Sequence, residues 1–280
     1  MGLSPPYKKF PHGKSQGPRP YRPRPYRDRM TIDTGVPNVA RMYDYYLGGY
    51  HNFAVDREAA EKILAIFPDT PAAARSNRRF MQRAVRHLAG RGVRQFLDIG
   101  AGLPTQGNVH EHTDGRVVYV DNDPVAIAQA RTLVEADERV SVALADLREP
   151  EALLADPHVS GHLDLAEPVA LMLVSIMHFL PDEADPWDLV ARLRDAVAPG
   201  SAIVVSHLTL DGVDLEPAMQ GTQVYRRSSA PIVPRTHADI ERFFAGFELV
   251  DPGLVWIGEW HPIPGEDGTS HGYGGVGIKP

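Results

Sequence analysis

FLDIGAGLPTQGNVHE, residues 96–111, sets an apolar run and an acid directly before two glycines in Gly-x-Gly spacing, with a third glycine further on. Phe96-Leu97-Asp98-Ile99 reads as a short buried strand. Gly100 and Gly102 permit the tight turn and close backbone approach that a nucleotide requires. The loop does not say which nucleotide. A dinucleotide fingerprint needs glycine at position 105, where Thr105 stands, and a P-loop needs a Gly-Lys-Ser/Thr triplet that is absent here. Alone, the segment suits a cofactor cradle and an ordinary strand-to-helix turn equally well.

The surrounding chain supplies a frame. After Gly92, short apolar β-branched runs alternate with helical stretches, the pattern of a parallel sheet built from strand-helix-strand units. The strand candidates are 95–99, 117–120, 140–144, 169–174 and 202–207, with helices over 124–136 and 186–198. Thr236 and Asp239 resemble a capping box opening a helix that runs to Phe244. Strands around 247–250, Trp256 and 274–278 then suggest an antiparallel hairpin on the sheet edge. Before Gly92 the pattern is helical: one helix opens near Pro37 and closes at Gly48-Gly49, a second spans 55–67, and a third follows Pro71. The third carries Phe80, Met81, Ala84, Val85 and Leu88 as one stripe and stops at Gly90, and no internal repeat is visible.

With 280 residues and 43% hydrophobic content, the chain buries a sizeable core. It has no cysteine, which excludes a disulfide framework, a thiolate metal site and a catalytic thiol, and suits a reducing cytoplasm. The histidines form no spaced cluster with carboxylates, so no metal is expected. The longest apolar run, PVALMLVSIMHFL, is interrupted by Ser175 and His178 and reads as a buried strand and its exit, not a membrane span. The N-terminus lacks the apolar centre of a signal peptide. Residues 1–30 hold 8 of the 29 Lys and Arg but 1 of the 36 Asp and Glu. This Pro-rich basic arm has too few aliphatics to offset its ordering entropy and is expected to be disordered. A basic arm suits phosphate contact, but the acidic remainder argues against a nucleic-acid enzyme.

Ligands of open α/β sheets bind outside the carboxyl ends of the strands, so those ends belong together. The first gives Asp98-x-Gly100-x-Gly102. The second ends VVYVDNDP, placing Asp121 where a carboxylate accepts both hydroxyls of a ribose; Asp123 is better placed to cap the next helix. The third ends ALADLREP, with Asp146 positioned to accept from the exocyclic amine of an adenine. The fourth ends LVSIMHFLPDE and delivers Ser175, His178 and Phe179 to the rim. Four consecutive strand ends of this chemistry are far more specific than any one.

This order resembles the class I S-adenosylmethionine-dependent methyltransferases: D-x-G-x-G after strand one, acids ending strands two and three, and a Rossmann-like α/β core closed by a C-terminal hairpin. RMYDYYLGGYHNFAVDREAAEKI and RSNRRFMQRAVRHLAGRGVRQFLDIGAGLPTQGNVHE are similar to the actinobacterial S-adenosyl methyltransferase family formerly listed as a domain of unknown function. The resemblance implies a mostly parallel seven-stranded sheet over residues 91–280, a helical lid over 31–90 and the arm 1–30. It departs from the usual loop in having Pro104 in place of the third glycine, with Gly107 later; Pro104 suits the start of a following helix.

The resemblance further implies S-adenosyl-L-methionine as cofactor, with Asp98, Gly100 and Gly102 at its methionine part, Asp121 at the ribose, Asp146 and Leu147 flanking adenine, and Ser175 beside them. Tyr46, Gly48 and Asn52 are expected at the mouth of the lid, with Arg78 or Arg41 reaching the methionine carboxylate as a bidentate donor; the plainer reading makes Tyr43, Tyr46 and Tyr50 packing residues at near-helical spacing. His178 is the candidate general base. Phe179, His207, Tyr225 and Arg226 are candidate substrate contacts. The fourth strand lacks the Asn/Asp-Pro-Pro-Tyr/Phe loop of amino-methylating DNA enzymes, which leaves a small-molecule acceptor. Two rivals stay open: an NAD-dependent oxidoreductase and a non-enzymatic binding protein of the same fold. The sequence does not give an oligomeric state.

Overall fold

The first helices form for local reasons. In the computed structural model, which describes residues 34–103, 107–266, 268 and 271–280, Asn38 caps α1 (Val39–Tyr46) by accepting the Ala40 and Arg41 N–H groups. The arm 1–30 and the loop positions Pro104 and Thr105 lie outside the described residues. After α2 (Ala54–Ile66), α3 (Thr70–Gly90) presents its predicted stripe, and Phe80, Ala84, Val85 and Leu88 are fully buried.

The β/α core follows: β1 (Gln95–Ile99), β2 (Arg116–Asp121), α4 (Pro124–Val134), β3 (Val140–Leu144), α5 (Pro150–Ala155), α6 (Pro157–Ser160), β4 (Ala170–Val174), α7 (Pro186–Asp195) and β5 (Ala202–Leu208). It closes with α8 (Leu215–Tyr225), α9 (His237–Glu241), β6 (Glu248–Leu249), β7 (Val255–Trp256) and β8 (Gly272–Ile278). The sheet order is β3-β2-β1-β4-β5-β8-β6. Strands β1 to β5 pair in parallel, and β8 runs antiparallel to β5. The seventh position is shared: β6 pairs with the Gly277 end of β8 and β7 with its Tyr273 end, so the edge hairpin is interrupted.

Strand alternation divides the core. Leu97, Ile99, Val118, Val120, Leu171 and Leu173 pack on one face with α5, α6 and α7, whereas Phe96, Val117, Tyr119 and Met172 meet α3 and α4 on the other. Each fully buried leucine or phenylalanine stabilises the fold by roughly 1.5–3 kcal/mol. A third cluster, Met42, Tyr46, Ala60 and Ile63, joins α1 to α2, and Tyr225 of α8 packs against it. Where a helix was expected after β1, the described residues carry only a 3₁₀ turn at Val109–His112, fixed because Glu111 accepts from the Gly107 and Asn108 N–H groups. Helix α7 ends three residues before the expected point, just ahead of Pro199, whose preceding residue is driven out of helical geometry. Among the described residues no helix is long and apolar enough to cross a membrane.

Candidate active site

From β1 the chain moves outward to β2 and β3, then returns to place β4 on the other side of β1, so a crevice opens beyond the carboxyl ends of β1 and β4. The glycine turn lies in it. Gly100 and Gly102 hold φ of 75° and 66°, a region unfavourable to other residues. A side chain at Gly100 would meet Ile176 at 2.5 Å, and one at Gly102 would face Ala40 of α1 at 3.7 Å. The Gly102 N–H donates to Asp121 Oδ2 at 2.8 Å, and the Asp123 N–H to Asp121 Oδ1 at 2.8 Å. Asp121 thus fixes the turn it follows, while Asp123 caps α4 through the Val125 N–H.

Burial pushes the Asp121 carboxyl up to about 6, although the backbone N–H groups of Asp123 and Gly102 oppose the rise. Asp98 is pushed up to about 7 by burial, with Arg78 opposing and Asp121 adding to the shift. Among the described residues its carboxylate has no hydrogen-bond donor. Arg78 donates to Asn108 Oδ1 at 3.2 Å, while its Nε is buried with no partner among the described residues. A carboxylate and a guanidinium left short of partners beside one glycine turn fit the ammonium and carboxylate of an amino-acid moiety.

Asp146 differs from the expectation of a free adenine contact. Arg148 grips it with Nε on Oδ1 at 2.8 Å and a terminal nitrogen on Oδ2 at 2.5 Å. Burial raises its pKa, but Arg148 and Asn122 outweigh that and hold it below the usual carboxylate range. Leu147 is buried next to it in the same wall.

The N-terminal helices are tied to the core by polar contacts. Arg41 Nε donates to buried Asp56 at 2.7 Å and another nitrogen lies 3.6 Å from Asp123, so this arginine joins α1 to α2 and to the β2 end. Ser175 N–H donates to Ser206 Oγ at 3.0 Å, Ser206 to Asn77 Oδ1 at 2.6 Å, and Asn77 Nδ2 to the Tyr43 hydroxyl at 3.0 Å. That relay crosses from the end of β4 through β5 and α3 to α1. Ser175 itself has φ of 56°, a strained setting for a non-glycine residue. The Tyr46 and Tyr225 hydroxyls lie 3.2 Å apart. Gly48 and Asn52 do not line the crevice: Asn52 Nδ2 donates to Asp44 Oδ2 and to the Gly49 carbonyl, closing the turn between α1 and α2.

At the ends of β4 and β5, one arginine that sequence reasoning missed organises the wall. Arg235, 5% exposed, donates to the Met177 and Leu180 carbonyls, to Asp182 and to His207 Nε2 at 3.0 Å. The His207 proton therefore sits on Nδ1, which donates to the Leu208 carbonyl at 2.7 Å. The Leu208 N–H donates in turn to His178 Nδ1 at 3.3 Å, leaving Nε2–H as the donor of that ring. Burial and the Arg235 charge push His178 down to about 3. Its free lone pair being engaged, His178 is arranged as a hydrogen-bond donor and not as the expected general base. His207 has both ring nitrogens committed. Phe179 and Tyr225 line the wall with ring centroids 6.3 Å apart, whereas Arg226 is exposed and stands outside it.

Together these elements line a partly open cavity of about 700 Å³, within the roughly 300–1,000 Å³ of ligand pockets. It runs from Asp146 and Asp121 past the glycine turn to His178 and Tyr225.

The strand order, the glycine turn and the acids at successive strand ends define a class I methyltransferase. The family model for S-adenosyl methyltransferase matches residues 25–280, and the chain belongs to that family. It is similar to a DUF574 family protein from Streptomyces avermitilis, 38% identical, with a TM-score of 0.85 over 89% of this chain and 100% of the other. A candidate methyltransferase from Thermobifida fusca is 37% identical, with a TM-score of 0.81 over 87% of this chain and 95% of the other. An O-methyltransferase family protein from Burkholderia thailandensis, 15% identical over 80% of this chain and 60% of the other, shares the fold at a TM-score of 0.50. Comparison with curated proteins finds no match. The protein is an S-adenosylmethionine-dependent methyltransferase, which sets aside the nicotinamide reading.

Proposed function

We propose that the methyl acceptor is a small molecule held inside the cavity between the glycine turn and the Phe179–Tyr225 wall. The observation that carries this reading is the cover over the glycine turn: α1 lies over Gly102, and the Tyr46–Tyr225 contact bridges α1 and α8. A macromolecular acceptor requires an open approach to the reacting atoms.

Bound S-adenosylmethionine supplies a methyl group already activated on a sulfonium. Asp98 and Arg78 hold the ammonium and carboxylate of its amino-acid part, Asp121 the ribose hydroxyls, and Asp146 with Leu147 the adenine edge and face. Gly100 and Gly102 allow the backbone to approach, and Tyr46 and Ser175 complete the wall. His178 orients the acceptor with its Nε2–H. The acceptor's oxygen, nitrogen or carbon would be held against that methyl group by the wall residues. The residues therefore work by positioning and by excluding bulk water, for which no strong base is needed.

Fractionated cell extract tests the acceptor class. Incubation with methyl-labelled S-adenosylmethionine should place label in the deproteinised, nuclease-treated low-mass fraction. Label confined to protein or nucleic acid would refute a small-molecule acceptor.

A further inference from the structure

The cavity is chemically divided. Its charged lining residues, Arg41, Asp44, Arg78 and those at the ends of β1 to β3, all stand at the cofactor side. The wall formed by the β4 and β5 ends, α8 and residues 228–232 presents no Asp, Glu, Lys or Arg to the cavity among the described residues; Arg235 lies behind it, paired with Asp182 and His207. Its polar groups are largely spent on one another: Tyr46 on Tyr225, the Ser228 hydroxyl on the Tyr225 and Ala230 carbonyls, His207 on Arg235 and Leu208. The Nε2–H of His178 is a donor this wall keeps, beside the Ser229 hydroxyl and one tyrosine hydroxyl, and it is flanked by Phe179 at a ring-centroid distance of 4.4 Å.

A charged acceptor entering such a wall would lose hydration with no counter-ion in contact, Arg235 being screened by His207 and already paired with Asp182, whereas a flat apolar ring gains burial and edge or offset contacts with aromatic neighbours. We infer that, given this cavity as the acceptor site, the acceptor is an uncharged aromatic compound whose ring lies against Phe179 and Tyr225 and whose oxygen or nitrogen accepts from His178 Nε2–H. Discrimination then comes from the missing counter-ion as much as from the ring contacts.

The test uses the full chain saturated with S-adenosylhomocysteine and titrated calorimetrically with 2-naphthol, uncharged at neutral pH, and separately with 2-naphthoate. One-site binding of 2-naphthol is expected, with 2-naphthoate weaker by about tenfold or more. Phe179→Ala, with Phe179→Leu as a milder variant, should weaken 2-naphthol about tenfold while leaving the affinity for S-adenosylhomocysteine unchanged. Equal or tighter binding of 2-naphthoate, or 2-naphthol affinity indifferent to both Phe179 variants, would overturn the acceptor class. So would normal S-adenosylhomocysteine binding with no 2-naphthol binding. Failure of S-adenosylhomocysteine to bind the unaltered chain would instead overturn the cofactor assignments, and this inference with them.

Discussion

The Gly102 N–H and the Asp121 carboxylate, 19 residues apart in sequence, meet at 2.8 Å and lock the turn after β1 to the end of β2. The two glycines of that turn are not equivalent. Both have positive φ, but only Gly100 also lacks room, with Ile176 at 2.5 Å from where a Cβ would stand. Gly102→Ala should destabilise by about 1–2 kcal/mol from backbone strain alone. Gly100→Ala should add an overpacking cost of about 1–3 kcal/mol. Urea midpoints of the two variants check this ordering; equal losses would mean that Ile176 does not constrain the turn.

The contribution of Asp98 and Asp121 to the stability of the ligand-free protein should fall as pH rises. Asp98 and Asp121 have folded values of about 7 and about 6, above the unfolded carboxyl, so the folded state holds protons that the unfolded state has already released. Their contribution is intact below about pH 4 and is lost as pH climbs toward 7. Asp98 faces Arg78, Asp121 and Tyr119. Asp98→Asn should be more stable than the parent at pH 8 by something on the order of 2–4 kcal/mol, with the gap closing near pH 4. Thermal unfolding of both proteins across that range measures it, and a gap that widens toward acid would show the sign to be wrong.

Arg235 should be poorly replaced by lysine. Its fork reaches two carbonyls and His207 at once, which a single ammonium cannot do. Arg235→Ala and Arg235→Lys should both lose about 2–3 kcal/mol of stability. Full recovery with lysine, read from denaturant midpoints, would reduce the role of Arg235 to that of a charge.

The Tyr46–Tyr225 contact lends itself to a double-mutant cycle. Either tyrosine changed to phenylalanine leaves the other buried hydroxyl without its partner, at about 1 kcal/mol. The double variant should cost less than the two single ones together, by about 0.5–1 kcal/mol. Strict additivity would show that α1 is held by Met42, Ile63 and their neighbours alone.

How far the sequence reveals this arrangement depends on the range of the forces involved. Strands β1 and β3 are legible to the residue because short apolar runs bounded by turn residues are a local signal, and α3 is legible from its stripe. Helix α8, with glycine, threonine and valine inside LEPAMQGTQVY and only a weak apolar stripe, gives no such signal; its packing against α2 and Tyr46 holds it in place. The two-residue strands β6 and β7 exist through pairing with β8. Asp98, Gly100, Gly102 and Asp121 are readable because the strand-end rule is topological. Arg235 is not, since its partners lie 28 to 58 residues away. The grip of Arg148 on Asp146 depends on a turn conformation that residue order does not reveal.

Calorimetric titration with S-adenosylhomocysteine, on the parent chain and on Asp121→Ala with NAD as control, tests the account most directly. It predicts one-site binding by the parent, an affinity weakened at least about 30-fold in the variant through loss of two carboxylate hydrogen bonds, and no heat with NAD. Undiminished binding by Asp121→Ala, or binding of NAD in place of S-adenosylhomocysteine, would contradict it.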